Sequence, residues 1–114
     1  MKPKELTKLY EKAKEEYLAE VQNDDGSYTC QGCNNDFMAI EIHHIIKRSS
    51  LKYYYADPVN FIELCNDCHR KAEGTVKEQV KLNCYRKMLK LKWMLLNYYR
   101  KLKLYEQTLD FKYG

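Results

Sequence analysis

The sequence predicts an α+β fold in one domain: a small metal-stapled core of short strands and one short helix, set between an N-terminal helix and a long C-terminal helix. Three observations carry this. Two Cys-x-x-Cys pairs, Cys30/Cys33 and Cys65/Cys68, bracket the stretch Glu41-Ile-His-His-Ile-Ile-Lys-Arg48, and four thiolates in two short knuckles suit one tetrahedral zinc ion. Apolar residues recur at helical spacing near the start of the chain. No Gly or Pro interrupts the chain between Thr75 and Tyr113. A chain of 114 residues buries only a modest core, so a metal staple would add to it materially.

The elements follow in order. Residues 1–24 hold the N-terminal helix, from Pro3, tolerated in a first turn, to Val21. Leu6, Tyr10, Ala13, Tyr17 and Val21 make one apolar face and Lys and Glu fill the others. Asn23-Asp-Asp-Gly-Ser27 ends it with turn-forming residues. The core spans residues 28–74, with two short strands expected at Tyr28 to Cys33 and Phe37 to His43, because Met38, Ile40 and Ile42 alternate with Ala39 and Glu41. Residues 46–60 read as a loop carrying Tyr53-Tyr54-Tyr55; three consecutive tyrosines cannot all face one core, so at least one is expected at the surface. Phe61, Ile62 and Leu64 return the chain to the second knuckle, and a short helix beginning near Asn66 presents His69 inward. Gly74 stops it. Thr75-Val-Lys-Glu78 has the form of a capping box, from which one long helix is expected across residues 75–110.

Composition narrows the class. The first 69 residues carry 12 acidic and 8 basic side chains and the remainder 4 and 12, so a net of +4 hides a basic C-terminal part that suits a polyanion such as nucleic acid. The N-terminus lacks the apolar stretch of a secretory signal and no segment is long and apolar enough to span a membrane, so a cytoplasmic protein is expected. In a reducing compartment five cysteines grouped two, two and one favour metal over disulfides. Cys84, the odd one, is expected as a buried inert thiol on a helix.

With the sulfurs spent on structural zinc, the histidines remain for chemistry. A metal that catalyses hydrolysis keeps positions open for water and substrate, and neutral imidazoles serve as its few protein ligands; His43 and His69 fit that role. Adjacent strand residues point to opposite faces, so His44 does not share the ion and is free to act as a base near neutral pH. The Asn60 amide can hold a loop or a ring in place. Glu41 could help this chemistry, though it reads first as a solvent-facing strand residue.

Glu41-Ile-His-His-Ile, Asn60 and Leu64-Cys-Asn-Asp-Cys-His69, preceded by Cys30-x-x-Cys33, resemble the HNH endonucleases of the ββα-metal fold in their zinc-stabilised form. The resemblance covers residues 28–74. It implies His44 as general base, Asn60 as the residue that positions it, His43 and His69 as ligands of a catalytic divalent ion (Mg2+, Mn2+, Ni2+ or Zn2+), and Cys30, Cys33, Cys65 and Cys68 as ligands of structural Zn2+. Lys47 and Arg48 would contact DNA phosphate. Lys47-Arg48-Ser49 stands where many relatives have Pro-x-Ser, and Leu51-Lys-Tyr-Tyr-Tyr55 replaces a Gly-rich loop, which bears on substrate preference more than on chemistry. Small stand-alone members are common in phages and mobile elements. The implied activity is hydrolysis of DNA phosphodiester bonds; the alternative is a non-catalytic zinc module that grips nucleic acid or protein.

The flanking C-terminal helix carries two apolar stripes, Met88, Leu91, Leu95, Tyr98, Leu102, Tyr105, Leu109 and, well round the helix, Leu82, Leu89, Trp93, Leu96, Leu104. Two stripes need two partners. Either the N-terminal helix and the core take one each, or a second copy covers one of them in a homodimer, which is the expectation here.

Overall fold

The computed structural model describes residues 2–113, with side chains up to Leu109. In chain order the elements are α1 (Pro3–Val21), β1 (Tyr28–Thr29), β2 (Asp36–Phe37), β3 (Glu41–His44), two 3-10 turns (Lys52–Tyr54 and Pro58–Asn60), β4 (Phe61–Leu64), α2 (Asn66–Ala72), α3 (Val76–Gln79) and α4 (Tyr85–Tyr113). Strands and helices are thus mixed, as expected, with the strands small and antiparallel.

The strands differ from expectation in their partners. The stretch read as one strand from Phe37 to His43 is divided: Phe37 pairs with Tyr28 in a two-residue ladder around the first knuckle, whereas Glu41 to His44 pair with Leu64 to Phe61. The reason lies in β4, all four of whose residues are buried. Ile62 and Leu64 face the core with the cysteines, while Phe61 meets the edge of the Tyr10 and Tyr17 rings at 5.7 and 5.5 Å. Glu63 is buried too, and the Tyr17 hydroxyl donates to its Oε1 at 2.9 Å. Burial, together with this carboxylate, holds the Tyr17 hydroxyl protonated far above its ordinary range, so it serves as a donor. Helix α1 therefore lies on the hairpin through the face its spacing predicts, with Leu6, Tyr10, Ala13, Tyr17 and Val21 each partly buried.

The core is built on sulfur. Cys30, Cys65, Cys68 and Cys84 pack with Ile45, Ile62, Leu64, Leu82 and Met88. Cys84 is buried as expected but precedes α4 rather than lying in it.

The single long helix expected over residues 75–110 is broken. Thr75 does cap α3, its hydroxyl accepting from the Glu78 N–H, but α3 ends at Gln79 and α4 begins only at Tyr85. Between them the N–H groups of Lys81, Leu82 and Tyr85 bond three residues back, and the Asn83 N–H is drawn off to the Gly32 carbonyl at 2.9 Å. Leu82 and Cys84, two positions apart, are both buried; an α-helix would turn them about 200° from each other. Burial of both beside the first knuckle overrides helix propensity there.

Helix α4 turns Met88, Leu91, Leu95 and Leu102 inward, and Tyr54 anchors it by donating its hydroxyl to the Leu95 carbonyl at 2.7 Å. Of the tyrosine run, Tyr54 is buried and Tyr53 is exposed. Leu96 of the second stripe is half-buried and lines a hollow with His43, whereas Leu89, Trp93, Tyr98, Leu104, Tyr105 and Leu109 are exposed. The arrangement in which α1 covers one stripe of α4 is not what the fold uses, because the α1 tyrosines are spent on β4 and the His44 region. No helix among the described residues is long and apolar enough to cross a membrane.

Candidate active site

The first of two donor clusters is Cys30, Cys33, Cys65 and Cys68, whose sulfurs lie within 4.8 Å of one another. All four are free thiols. The knuckles aim backbone N–H groups at them: Gly32 and Cys65 donate to the Cys30 sulfur at 3.3 and 3.2 Å, and Cys68 donates to the Cys65 sulfur. Burial pushes the Cys65 and Cys68 thiols up; at Cys30 burial acts the same way but is outweighed by the surrounding N–H groups, which hold the thiol down. Four sulfurs in two knuckles, with donors stabilising a thiolate, fit a tetrahedral zinc site. Gly32 is required by close approach, since a Cβ there would lie 2.8 Å from the Cys68 sulfur.

The second cluster is His43, His69 and Glu73, with ligand atoms again within 4.8 Å. Strand β3 delivers His43 and helix α2 delivers His69. Glu73, which caps α2 four residues after His69, lies on the same helix face. His43 Nδ1 is buried and has no hydrogen-bond partner among the described residues. Burial, and next the His69 ring, hold its pKa down to about 4, so at neutral pH the imidazole is neutral and its lone pair is free. His69 Nδ1 lies 2.8 Å from Glu41 Oε1, and Glu41 is itself fixed by the Asn66 amide at 2.8 Å. A carboxylate can only accept, so Nδ1 carries the proton and Nε2 presents a lone pair. That Nε2 stands 3.1 Å from a Glu73 oxygen. Two acceptors so close are reconciled by a cation between them, a proton or a metal ion. With the orphaned His43 nitrogen beside them, the donor set of two imidazoles and a carboxylate fits a divalent ion.

Of the two acids, Glu73 is absent from the sequence reading, and Glu41 enters it only as a helper or a solvent-facing strand residue. Glu41, expected to face solvent, is the carboxylate that orients His69; hydrogen bonding to His69, then Asn66, holds its own pKa down. Glu73 is legible only as His69 plus four, one residue past the end of a short helix.

His44 points away from this cluster into an aromatic pocket. Its ring stacks on Tyr55 at 4.9 Å and 12°, with Tyr10 at 4.9 Å and the edge of Phe61 at 5.4 Å. His44 Nε2 donates to the Tyr55 carbonyl at 3.0 Å, which leaves Nδ1 as the basic nitrogen. Burial lowers its pKa, partly offset by that carbonyl. Even so, one hollow is lined by His44, Lys47, Arg48, His69 and Glu73 together, so the expected base, two cations and two members of the donor cluster border the same space. Arg48 lies over the Tyr55 ring at 4.7 Å.

Asn60 is fully buried, and its side-chain hydrogen bonds run to the loop after His44 instead of to His44 itself. Its side-chain carbonyl accepts from the Ile46 N–H at 2.7 Å, and its amide donates to the Ile46 and Tyr54 carbonyls at 3.0 and 3.3 Å. It thus pins the 46–54 loop, whose next residue, Tyr55, holds His44. Asn60→Ala would strand three buried backbone groups, at about 1–3 kcal/mol each. A loss on the order of 3 kcal/mol is expected, read as a fall in the denaturant midpoint; an unchanged midpoint would contradict it.

The segment that holds all these donors, residues 30–74, matches the family model described as HNH endonuclease. Searches of the curated proteins and of the solved structures find no match to the chain.

Proposed function

We propose, from the premise that residues 30–74 are an HNH endonuclease domain, that the protein hydrolyses DNA phosphodiester bonds with one divalent ion, on a scaffold stapled by structural zinc. His43, His69 and Glu73 would hold the ion, and Cys30, Cys33, Cys65 and Cys68 the zinc. The observation that carries the reading is the buried, unpartnered His43 Nδ1 beside His69 and Glu73, in a hollow shared with His44.

A bound divalent ion supplies Lewis-acid stabilisation of the charge that grows on the phosphate and the departing oxygen. His44 takes a proton from the attacking water at Nδ1, because Tyr55 occupies Nε2. Stacking between Tyr55 and Tyr10 fixes the plane of that ring. Lys47 and Arg48 bind the phosphate oxygens and orient the group for in-line attack. Glu41 keeps His69 in the tautomer that ligates. Plasmid DNA incubated with Mg2+, Mn2+, Ni2+ or Zn2+ tests this. Nicking or linearisation that requires an added ion is expected, and binding without cutting under every ion would replace the reading with that of a non-catalytic zinc module.

In the same reading two protomers pair through the distal part of α4. Tyr98, Tyr105 and Leu109 are 59%, 62% and 37% exposed, and apolar residues spaced seven and four apart at that exposure form one seam that suits a coiled-coil partner. Sedimentation at micromolar concentration is expected to show a species of twice the chain mass; a single species near 13.7 kDa would overturn the dimer.

A further inference from the structure

Three hollows on the surface border one another through shared side chains. The first, of about 280 Å³, lies between β3 and α4 and is lined by His43, His44, Lys47, Glu73 and Lys92 among others. The second shares His44, Lys47 and Glu73 with it and adds Arg48 and His69. The third shares Arg48 and is otherwise lined by Pro3, Lys4, Thr7 and Lys8 of α1. Shared side chains thus place the three hollows in sequence, from Lys4 and Lys8, past His69 and Glu73, to Lys92.

The charge along this row is one-sided. Lys4, Lys8, Lys47, Arg48 and Lys92 line it, and the one carboxylate along it is Glu73, a member of the metal cluster. The chain as a whole has 20 basic and 16 acidic side chains, so a lining of five cations and one acid is a departure from its overall composition. Among the described residues none of the five cations is in a salt bridge, whereas Arg70, Lys71, Lys81 and Lys103 are each paired with an acid. Unpaired ammonium and guanidinium groups spaced along such a row fit a chain of phosphates, and the Lys4, Lys8 and Lys92 ends lie outside the segment that matches the family model.

We infer that α1 and α4 extend the substrate site on both sides: Lys4 and Lys8 grip the DNA backbone on one side of the scissile phosphate and Lys92 on the other. This rests on the nuclease reading, and its test reads binding instead of cleavage. A His44→Ala protein is the background, so that bound DNA is not consumed, and Lys4→Gln/Lys8→Gln, Lys92→Glu and Lys101→Glu, each of which lowers the net charge by two, are made in it. Lys101 is nine residues beyond Lys92, hence on the opposite face of α4 at about 100° per residue, and it controls for the change in net charge. Affinity for a short duplex is measured across a salt series. Each end variant is expected to bind on the order of tenfold more weakly near 0.1 M salt, and the slope of log K against log salt should shrink by roughly 0.9 for every phosphate left without its cation. Lys101→Glu should do neither. Circular dichroism and zinc content establish that the variants are folded.

If the end variants track Lys101→Glu, the extended site is overturned, and ion-dependent cutting by the unsubstituted protein would show the nuclease reading intact. Weakening at one end alone overturns the two-sided grip. No DNA binding by the background overturns it as well, and plasmid cleavage then reports separately on the nuclease.

Discussion

Replacing Cys65 and Cys68 together by serine is expected to unfold the protein. The sulfurs are the core itself: Cys30, Cys65 and Cys68 are buried against Ile62, Leu64 and Leu82, so the change removes two ligands and puts hydroxyls into apolar surroundings. Structural zinc contributes about 10–16 kcal/mol in small domains, which matches or exceeds the roughly 5–15 kcal/mol by which domains are stable at all. A chelator should act in the same direction on the unsubstituted protein. Gly32→Ala is the graded version, since it keeps all four sulfurs but drives a methyl to within 2.8 Å of one of them; weaker zinc retention at an intact ligand count is expected. Elemental analysis beside far-UV circular dichroism decides both, and a folded protein without zinc would refute the staple.

His44→Ala is expected to lower the rate of DNA cleavage by roughly 10²- to 10⁴-fold, the usual contribution of a positioned base, while zinc content and fold persist. The side chain is only partly buried, and it bonds one carbonyl that the adjoining loop can leave to water. The pH profile gives a second reading. Burial lowers the His44 pKa from its ordinary 6.5, so the free base is present at neutral pH, and the rate should fall on acidification with an inflection below 6.5. An alanine variant that cuts as fast as the unsubstituted protein would remove His44 from the chemistry.

What the sequence made legible, and what it did not, divides along physical lines. Cysteine spacing needs no tertiary information, because two sulfurs three residues apart bite one ion wherever the knuckle lies; the four thiols do converge. The apolar face of α1 was legible for the same local reason. His43 and His69 come together across β3 and α2 as the resemblance implied. The failures are non-local. Phe61 to Leu64 shows no alternation because α1 covers one side of it and the sulfur core the other, so it did not read as a strand. The break at residues 80–84 depends on a carbonyl 51 positions away, at Gly32, and nothing in Val80-Lys-Leu-Asn-Cys84 announces it. Glu41 and Glu73 look like any other exposed acids until His69 is placed between them.

The attachments of α4 have a mechanical consequence. The chain entering the helix is tied to the first knuckle by Asn83, and the helix is tied again at Leu95 by the Tyr54 hydroxyl and at Tyr99 by the Tyr53 ring 5.1 Å away. Lys92 lies between the first support and the others, so its position relative to His43 is set at both ends. Leu109, 10 residues past Tyr99, stands about 15 Å out along the helix axis. The end of the helix is thus a cantilever: a tilt of about 10° at Tyr99 carries Leu109 sideways by about 3 Å at that length, yet leaves Lys92 where it was. A load applied to the far end, such as a second protomer, bends the overhang before it disturbs the hollow beside His43.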